Sequence, residues 1–349
     1  MIFLSSVASL RAFCHLPSNL YGDYMNLFLT LTGFLLAFLV NLLFPQVAEG
    51  VKLKSYTFGG IAVDDNLAYR LVLLAIALYY GIYRLVLFVK KADQEKINKF
   101  GKGAKFRFAI GIALALWDLL GTKLLVLPQP FFPGPAVIMD AFLGDTAFIW
   151  KNTLYSLRLF LSGFVTGVVV GIATGVLIGW YPRARYWISP VLNISGVIPA
   201  VAWMPFALTL FPTSFSAATF LIAICSWFPV ATMTSEGVQS TPKAQFEVAR
   251  TFGAGQFYQV FHVAIPHAMP RIFTGITTAA AFSFTTLVMA EMMGQPGGLG
   301  YYINTSKVWS AYYKVFAAII VMAILFTIIL KAVDAVQNYV LRWQKGVVR

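Results

Sequence analysis

The stretch EVARTFGAGQFYQVFHVAIP (Glu247–Pro266) lies between two apolar runs, Phe215–Thr234 and Ile272–Met293, each long enough to cross a bilayer. It is polar, interrupted by glycine and closed by proline, so it is not itself a span. Thr241 reads as an N-cap and Pro242 as the first turn of a short helix. Gly253 then ends that helix in a C-cap role. Phe257, Val260, Phe261 and Ala264 follow at i, i+3, i+4 and i+7, which predicts a second amphipathic helix. Pro266 is expected to stop it before the next span. Two short helices with apolar faces and no spanning length call for a partner, or for a resting place on the membrane surface.

The rest of the chain fits that setting. Of its 349 residues, 59% are hydrophobic and 11% charged, and the mean hydropathy is +0.76. A soluble domain carries about 25% charged residues, so the composition is that of a polytopic membrane protein. Apolar runs mark candidate spans at Leu27–Phe44, Leu71–Val89, Phe108–Leu127, Leu157–Trp180, Ile188–Leu210, Phe215–Thr234, Ile272–Met293 and Val315–Val336. The N-terminal MIFLSSVASLRAF has no basic residue ahead of its apolar ones and does not read as a cleaved signal peptide.

A net charge of +13 would suggest nucleic acid in a soluble chain. Here the basic residues fall where membrane orientation places them. VKKADQEKINKFGKGAKFR packs its lysines and arginine between two spans and is expected in the cytoplasm. Alternation then puts Arg183, Arg185, the Glu247–Arg271 region and both termini inside, with Asp64, Asp65 and the 128–152 segment outside. Lys307 and Lys314 fall outside, against the trend. The basic linker divides the sequence into a two-helix extension, residues 1–105, and a six-helix core, residues 106–349. Prolines 128, 130, 133 and 135 break any helix there, leaving room for one short helix after Pro135.

Within the spans, Gly163, Gly167, Gly171, Gly175 and Gly179 recur every fourth residue and form a groove along one helix face. Such a face is foremost a packing surface, with a transport path as the alternative. Thr274, Thr278 and Thr285 lie near one face of a later helix, either bonding their own backbone or lining a polar pathway. Glu291 is a carboxylate at membrane depth, which marks a functional candidate unless it caps a helix or pairs with Lys307. Asp118 lies inside the third of these spans, and Lys331 and Asp334 lie three apart inside the last, where they can pair along one face.

Catalytic patterns are missing from the sequence. It holds no P-loop, no H-E-x-x-H and no G-x-S-x-G, so the chain is not expected to hydrolyse ATP. His15, His262 and His267 form no metal set, and Cys14 and Cys225 suggest neither a metal site nor a disulfide.

The opening stretch resembles the EAA loop of ABC-importer permeases. That motif reads E-A-A, three residues, G, nine residues, then I-x-L-P. Glu247, Val248 and Ala249, then Gly253, then Val263–Pro266 reproduce its spacing, with Val248, Val263 and Ile265 as small apolar departures. SGVIPAVAWMPFALTLF, WFPVATMTSEGVQS, VARTFGA and AEMMGQPGGLGYYI are similar to the nitrate, sulfonate and taurine permeases, whose relatives carry bicarbonate or vitamin precursors. The resemblance runs from Phe106 to the C-terminus and leaves the first hundred residues unmatched.

It implies an all-α membrane fold of the type I importer kind, with the coupling loop at 237–271. Glu247, Ala249, Arg250, Gly253, Ala254, Val263, Ile265 and Pro266 would couple to the ATPase, while Thr274, Thr278, Thr285 and Glu291 are candidates for the translocation path. The implied partners are a cytoplasmic ATPase holding ATP and Mg, a periplasmic or lipid-anchored solute-binding protein, a second permease chain in a homodimer, and membrane lipids of a bacterial inner membrane. No nucleic acid and no cofactor bound by this chain are expected. A gradient-driven secondary transporter or channel is the alternative, and a membrane enzyme a third class.

Overall fold

The computed structural model describes residues 18–46, 53–58, 61–89 and 94–343. The expectations for the N-terminal stretch, Cys14, His15, Lys90, Lys91 and the last residues of the tail lie outside them.

Among the described residues the helices are α1 (Ser18–Leu43), α2 (Asp65–Val89), α3 (Gln94–Lys102), α4 (Ala104–Asp118), α5 (Pro135–Gly144), α6 (Thr146–Trp180), α7 (Pro182–Val197), α8 (Met204–Leu210), α9 (Ser214–Gln239), α10 (Lys243–Thr251), α11 (Gln256–Gln259), α12 (Ile265–Met292), α13 (Leu299–Val308) and α14 (Tyr312–Val340). Strands β1 (Ser55–Phe58) and β2 (Ile61–Asp64) form an antiparallel hairpin between α1 and α2.

Among the described residues, six helical stretches are long and apolar enough to cross a membrane: Met25–Leu43, Asp65–Leu87, Thr146–Trp180, Ser214–Gln239, Gln256–Met292 and Tyr312–Val340. Two of the eight expected spans differ. Ile188–Leu210 is not one helix, because α7 and the segment Ala200–Leu210 meet at a bend of 104°. Pro199 supplies the reason: it donates no backbone hydrogen bond and forces Ile198 out of the helical region, to ψ 119. The run Phe108–Leu127 is the 15-residue α4 continued by a π-helical turn, Leu119–Lys123. It ends there because Leu125 turns left-handed, at φ 49. The short helix anticipated after Pro135 is α5, with that proline in its first turn.

The chain forms two compact units. One comprises residues 1–146 with 310–317, and the other 147–309 with 318–349. The division expected between residues 105 and 106 falls inside the first unit, between α3 and α4.

In the first unit, α1 and α4 touch backbone to backbone. A Cβ on Gly111 would lie 2.3 Å from the carbonyl carbon of Gly33, so only glycine fits. Phe34, Ala37, Tyr69, Leu73 and Ala77 share one core with Ala115 of α4 and Ala136 of α5. A polar network is buried beside it. The Asn41 amide donates to Asp118 Oδ2 at 2.8 Å and to Asn66 Oδ1 at 3.1 Å, while Arg70 Nε donates to Asn41 Oδ1 at 2.7 Å. The hairpin is fastened to α5: Lys54 pairs with Asp140 at 2.9 Å, and the Tyr56 hydroxyl donates to the same carboxylate. Lys314, a basic residue out of place by charge counting, pairs with Asp145 at 2.6 Å.

In the second unit, α6 and α9 pack along the five glycines. A Cβ at Gly163, Gly167, Gly171, Gly175 or Gly179 would strike Ile222, Ser226, Val230, Thr234 or Val238 respectively, at 1.9–2.8 Å. The two series advance four residues at a time on both helices. That shared step keeps the backbones close along five turns.

Candidate coupling site

The segment from Glu247 to Pro266 folds as the end of α10, a tight turn, α11, and then an unbroken helical run into the membrane. The turn is a Schellman motif. Gly253 N–H donates to the Arg250 carbonyl at 2.8 Å and Ala254 N–H to the Ala249 carbonyl at 3.0 Å. Gly253 has φ +77, and a Cβ there would meet nothing within 4 Å, so the backbone conformation and not crowding selects glycine.

Three local expectations are corrected. Pro242, not Thr241, occupies the N-cap of α10, and the Thr241 hydroxyl is buried without a hydrogen-bond partner. Pro266 does not stop the second helix. A π-helical turn, Val260–Ala264, joins α11 to α12, and Pro266 sits in the first turn of α12, where a missing N–H costs least. The predicted apolar face divides as well: Val260 and Ala264 are buried, while Phe257 and Phe261 are exposed. The wider π turn breaks the 3.6-residue register on which that face was counted.

An open groove of about 1020 Å3 lies on this segment. Val248, Phe252, Tyr258, His262, His267 and Trp343 line it together with Ala249, Gly253, Ala254, Val263 and Pro266. Glu247 and Arg250 are exposed and stand outside the lining, as does the half-buried Ile265. Tyr258 and His262 stack with ring centroids 4.2 Å apart. Phe252 is 86% exposed, a large apolar side chain left in water beside an apolar groove. Sequence reasoning missed Trp343, which arrives from the end of α14, and the two histidines, whose spacing carried no metal pattern.

The threonines and Glu291 do not share a site. Thr274 and Thr285 are exposed and Thr278 is half-buried along one face of α12. Each hydroxyl donates to the backbone carbonyl four residues earlier: Pro270, Thr274 and Ala281. Glu291 is 1% exposed and faces the interior. Three consecutive N–H groups at the start of α13 are held by side chains. Gly298 N–H donates to Asn152 Oδ1 at 2.9 Å, Leu299 N–H to Ser156 Oγ at 2.8 Å, and Gly300 N–H to Glu291 Oε2 at 2.8 Å. Glu291 therefore caps a helix, and Lys307 is exposed elsewhere on α13. Gly298, at φ 109, leaves no room for a Cβ, which would lie 2.3 Å from that carboxylate. Asn152 and Ser156, four apart on α6, complete this cap from more than 140 residues away, and nothing in their spacing pointed to it.

Residues 167–346 match the family of binding-protein-dependent transport system inner membrane components. The chain belongs to that family. It is a multi-pass membrane protein with the permease fold of such transporters, in a family of transport components that work with a solute-binding protein. The aliphatic sulfonates transport permease SsuC of Bacillus subtilis is 28% identical over 73% of this chain and 95% of its own length. The taurine transport system permease TauC of Escherichia coli is 26% identical over 67% of this chain and 87% of its own. The nitrate import permease NrtB of Synechococcus elongatus is 27% identical over 64% and 82%. A chain of the inward-facing MetNI methionine ABC transporter aligns over 56% of this chain and 95% of that one, at 23% identity and a TM-score of 0.47.

Proposed function

We propose that the chain forms half of the membrane pathway of an ATP-driven importer for a small solute of the sulfonate, taurine, nitrate or bicarbonate class. A separate ATPase, holding ATP and Mg, docks in the groove at Glu247–Pro266, and a solute-binding protein delivers cargo to the opposite face. The observation that carries this reading is the groove itself: exposed apolar side chains around a glycine-closed turn, helically continuous with a 37-residue spanning stretch.

In this reading Phe252, Tyr258 and Trp343 bury against the ATPase, and Glu247 and Arg250 supply charged contacts at the rim. Both termini and the basic linker face the cytoplasm with the groove, following the excess of lysine and arginine on that side. Thr274, Thr278 and Thr285 line the pathway, the face of α12 that the single chain leaves open, and a second copy of the chain completes it. Glu291 acts at the edge of that pathway by holding α13 in place. The division at residue 105 separates a two-helix extension from the permease core.

The test is co-purification of the chain with its ATPase from membranes. Phe252→Ala and Gly253→Ala are expected to lower the recovered ATPase about tenfold, as removal of an interface anchor does. Unchanged recovery with both variants would sink the coupling role. Transport assays of the reconstituted complex with taurine, nitrate and bicarbonate then assign the solute.

A further inference from the structure

Among the described residues of the extension, the lysines concentrate on helix α3, and its surroundings fix where it lies. It crosses one end of the α1, α2 and α4 bundle. A Cβ on Gly101 would come 2.7 Å from the side chain of Asn26, in the third turn of α1 and beside the first residue of its spanning stretch. The Phe100 ring packs 5.9 Å from Tyr83 and 6.5 Å from Tyr80, near the end of α2. Arg107, in the first turns of α4, donates to the Phe100 carbonyl at 2.6 Å and to Thr30 at 3.2 Å. Its guanidinium also lies 4.1 Å from the Phe100 ring, so it is fully engaged beneath the helix.

The two helices flanking α3 on the chain are tied to the membrane. α2 is a spanning stretch and α4 lies against another, through Gly33 and Gly111. α3 is therefore held at the boundary where the hydrocarbon ends. Its Phe100 is buried, while Lys96, Lys99 and Lys102, with Lys105 just beyond, are exposed. Glu95 is the acidic side chain exposed beside them. Among the described residues none of these lysines pairs with a carboxylate, and the lateral helix faces that adjoin them are apolar.

We propose that α3 is a lipid-headgroup collar. Lys96, Lys99, Lys102 and Lys105 bind the phosphates of anionic phospholipids and so anchor the N-terminal extension to one leaflet. Charge complementarity selects this occupant: basic side chains at a membrane boundary face an anionic surface within a Debye length, and each contributes about fivefold to binding there. The inference depends on α1 and α2 crossing the membrane and not on the coupling role of the groove.

The experiment uses the full-length chain reconstituted in vesicles of equal dioleoylphosphatidylglycerol and dioleoylphosphatidylcholine. The protein is re-extracted in mild detergent, and the retained lipid is quantified by mass spectrometry. The expected result is about tenfold enrichment of phosphatidylglycerol, lost in about 1 M salt, where screening shortens to about 3 Å. The K96Q/K99Q/K102Q/K105Q variant should fall to near-equal retention, and the corresponding four-arginine variant should keep the enrichment. All four side chains are exposed, so neither variant disturbs a packed core. Enrichment that survives the glutamine substitutions overturns the proposal. So does a glutamine variant that keeps its lipid but loses a co-purifying protein, because the basic face would then belong to a protein partner.

Discussion

Gly167→Ala is the sharpest test of the α6–α9 contact. Its Cβ would sit 1.9 Å from Ser226 Oγ and 2.4 Å from the Ala223 carbonyl oxygen. The serine could turn away, but the carbonyl belongs to the helix backbone. An ordinary contact of about 3.4 Å requires the two helices to part locally by about 1 Å, which forfeits a quarter to a half of the dispersion energy across the gap. Overpacking of this kind costs about 1–3 kcal/mol, of which alanine's better helix propensity returns at most ~1 kcal/mol. Gly81→Ala provides the matched control, because nothing lies within 4 Å of a Cβ there. In detergent, thermal unfolding followed by a thiol-reactive dye should show Gly167→Ala melting several degrees below the wild type. Gly81→Ala should match or exceed the wild type. Adding Ser226→Gly should restore only part of the loss, since the clash with Ala223 remains. Equal melting of Gly167→Ala and Gly81→Ala would refute the close approach.

The other predictions concern single contacts. Gly253→Ala places an L-residue at φ +77, costing about 1–2 kcal/mol locally, and Gly253→Asn should cost less because asparagine tolerates this region; hydrogen exchange across 248–258 reads the difference. Glu291→Leu strips the buried Gly300 N–H of its acceptor and should destabilise the chain by about 1–3 kcal/mol, whereas Glu291→Gln, which keeps a carbonyl oxygen, should lose less; thermal melts decide between them. The attachment of the hairpin to α5 should weaken at high pH. Burial and the hydrogen bond to Asp140 push Tyr56 up to about 12. The hydrogen bond to the same carboxylate also raises Lys54, against a smaller opposing effect of its partial burial. Both groups hold their protons more tightly when folded. The attachment is thus intact below about pH 10 and is lost as pH climbs toward 12. Limited proteolysis of the hairpin against pH should show this window, and Asp140→Asn should abolish it.

What the sequence disclosed was mostly what local pattern encodes. Most spanning helices announced themselves by apolar length, the five glycines by their spacing, and the turn between α10 and α11 by Gly253. What it concealed depended on pairing between distant segments. The hairpin Ser55–Asp64 brackets Gly59–Gly60, a turn signal between aromatic and β-branched residues, but it is short and lies in a chain dominated by helices. The cap on α13 draws Asn152 and Ser156 across more than 140 residues to meet Gly298 and Leu299, which no periodicity reveals. The bend at Pro199 was legible in principle, since proline restricts its predecessor; an uninterrupted apolar run masked it. The continuation of the helix past Pro266 went the other way, because proline reads as a stop unless a π turn precedes it.

That continuation has a mechanical consequence. From Gln256 to Met292 the chain is one helical rod of 37 residues, about 55 Å long at 1.5 Å per residue. The open groove lined by Phe252, Tyr258 and Trp343 is at its foot, and the Glu291 carboxylate that holds α13 is at its head. Tilting such a lever by about 5° at the foot swings the head by about 5 Å, as much as one helical turn. Its softest joint is low on the shaft, where Pro266 and Pro270 each withhold a backbone hydrogen bond next to the π turn. A push delivered above that joint is carried to the far side of the membrane; a push delivered below it is partly absorbed in bending.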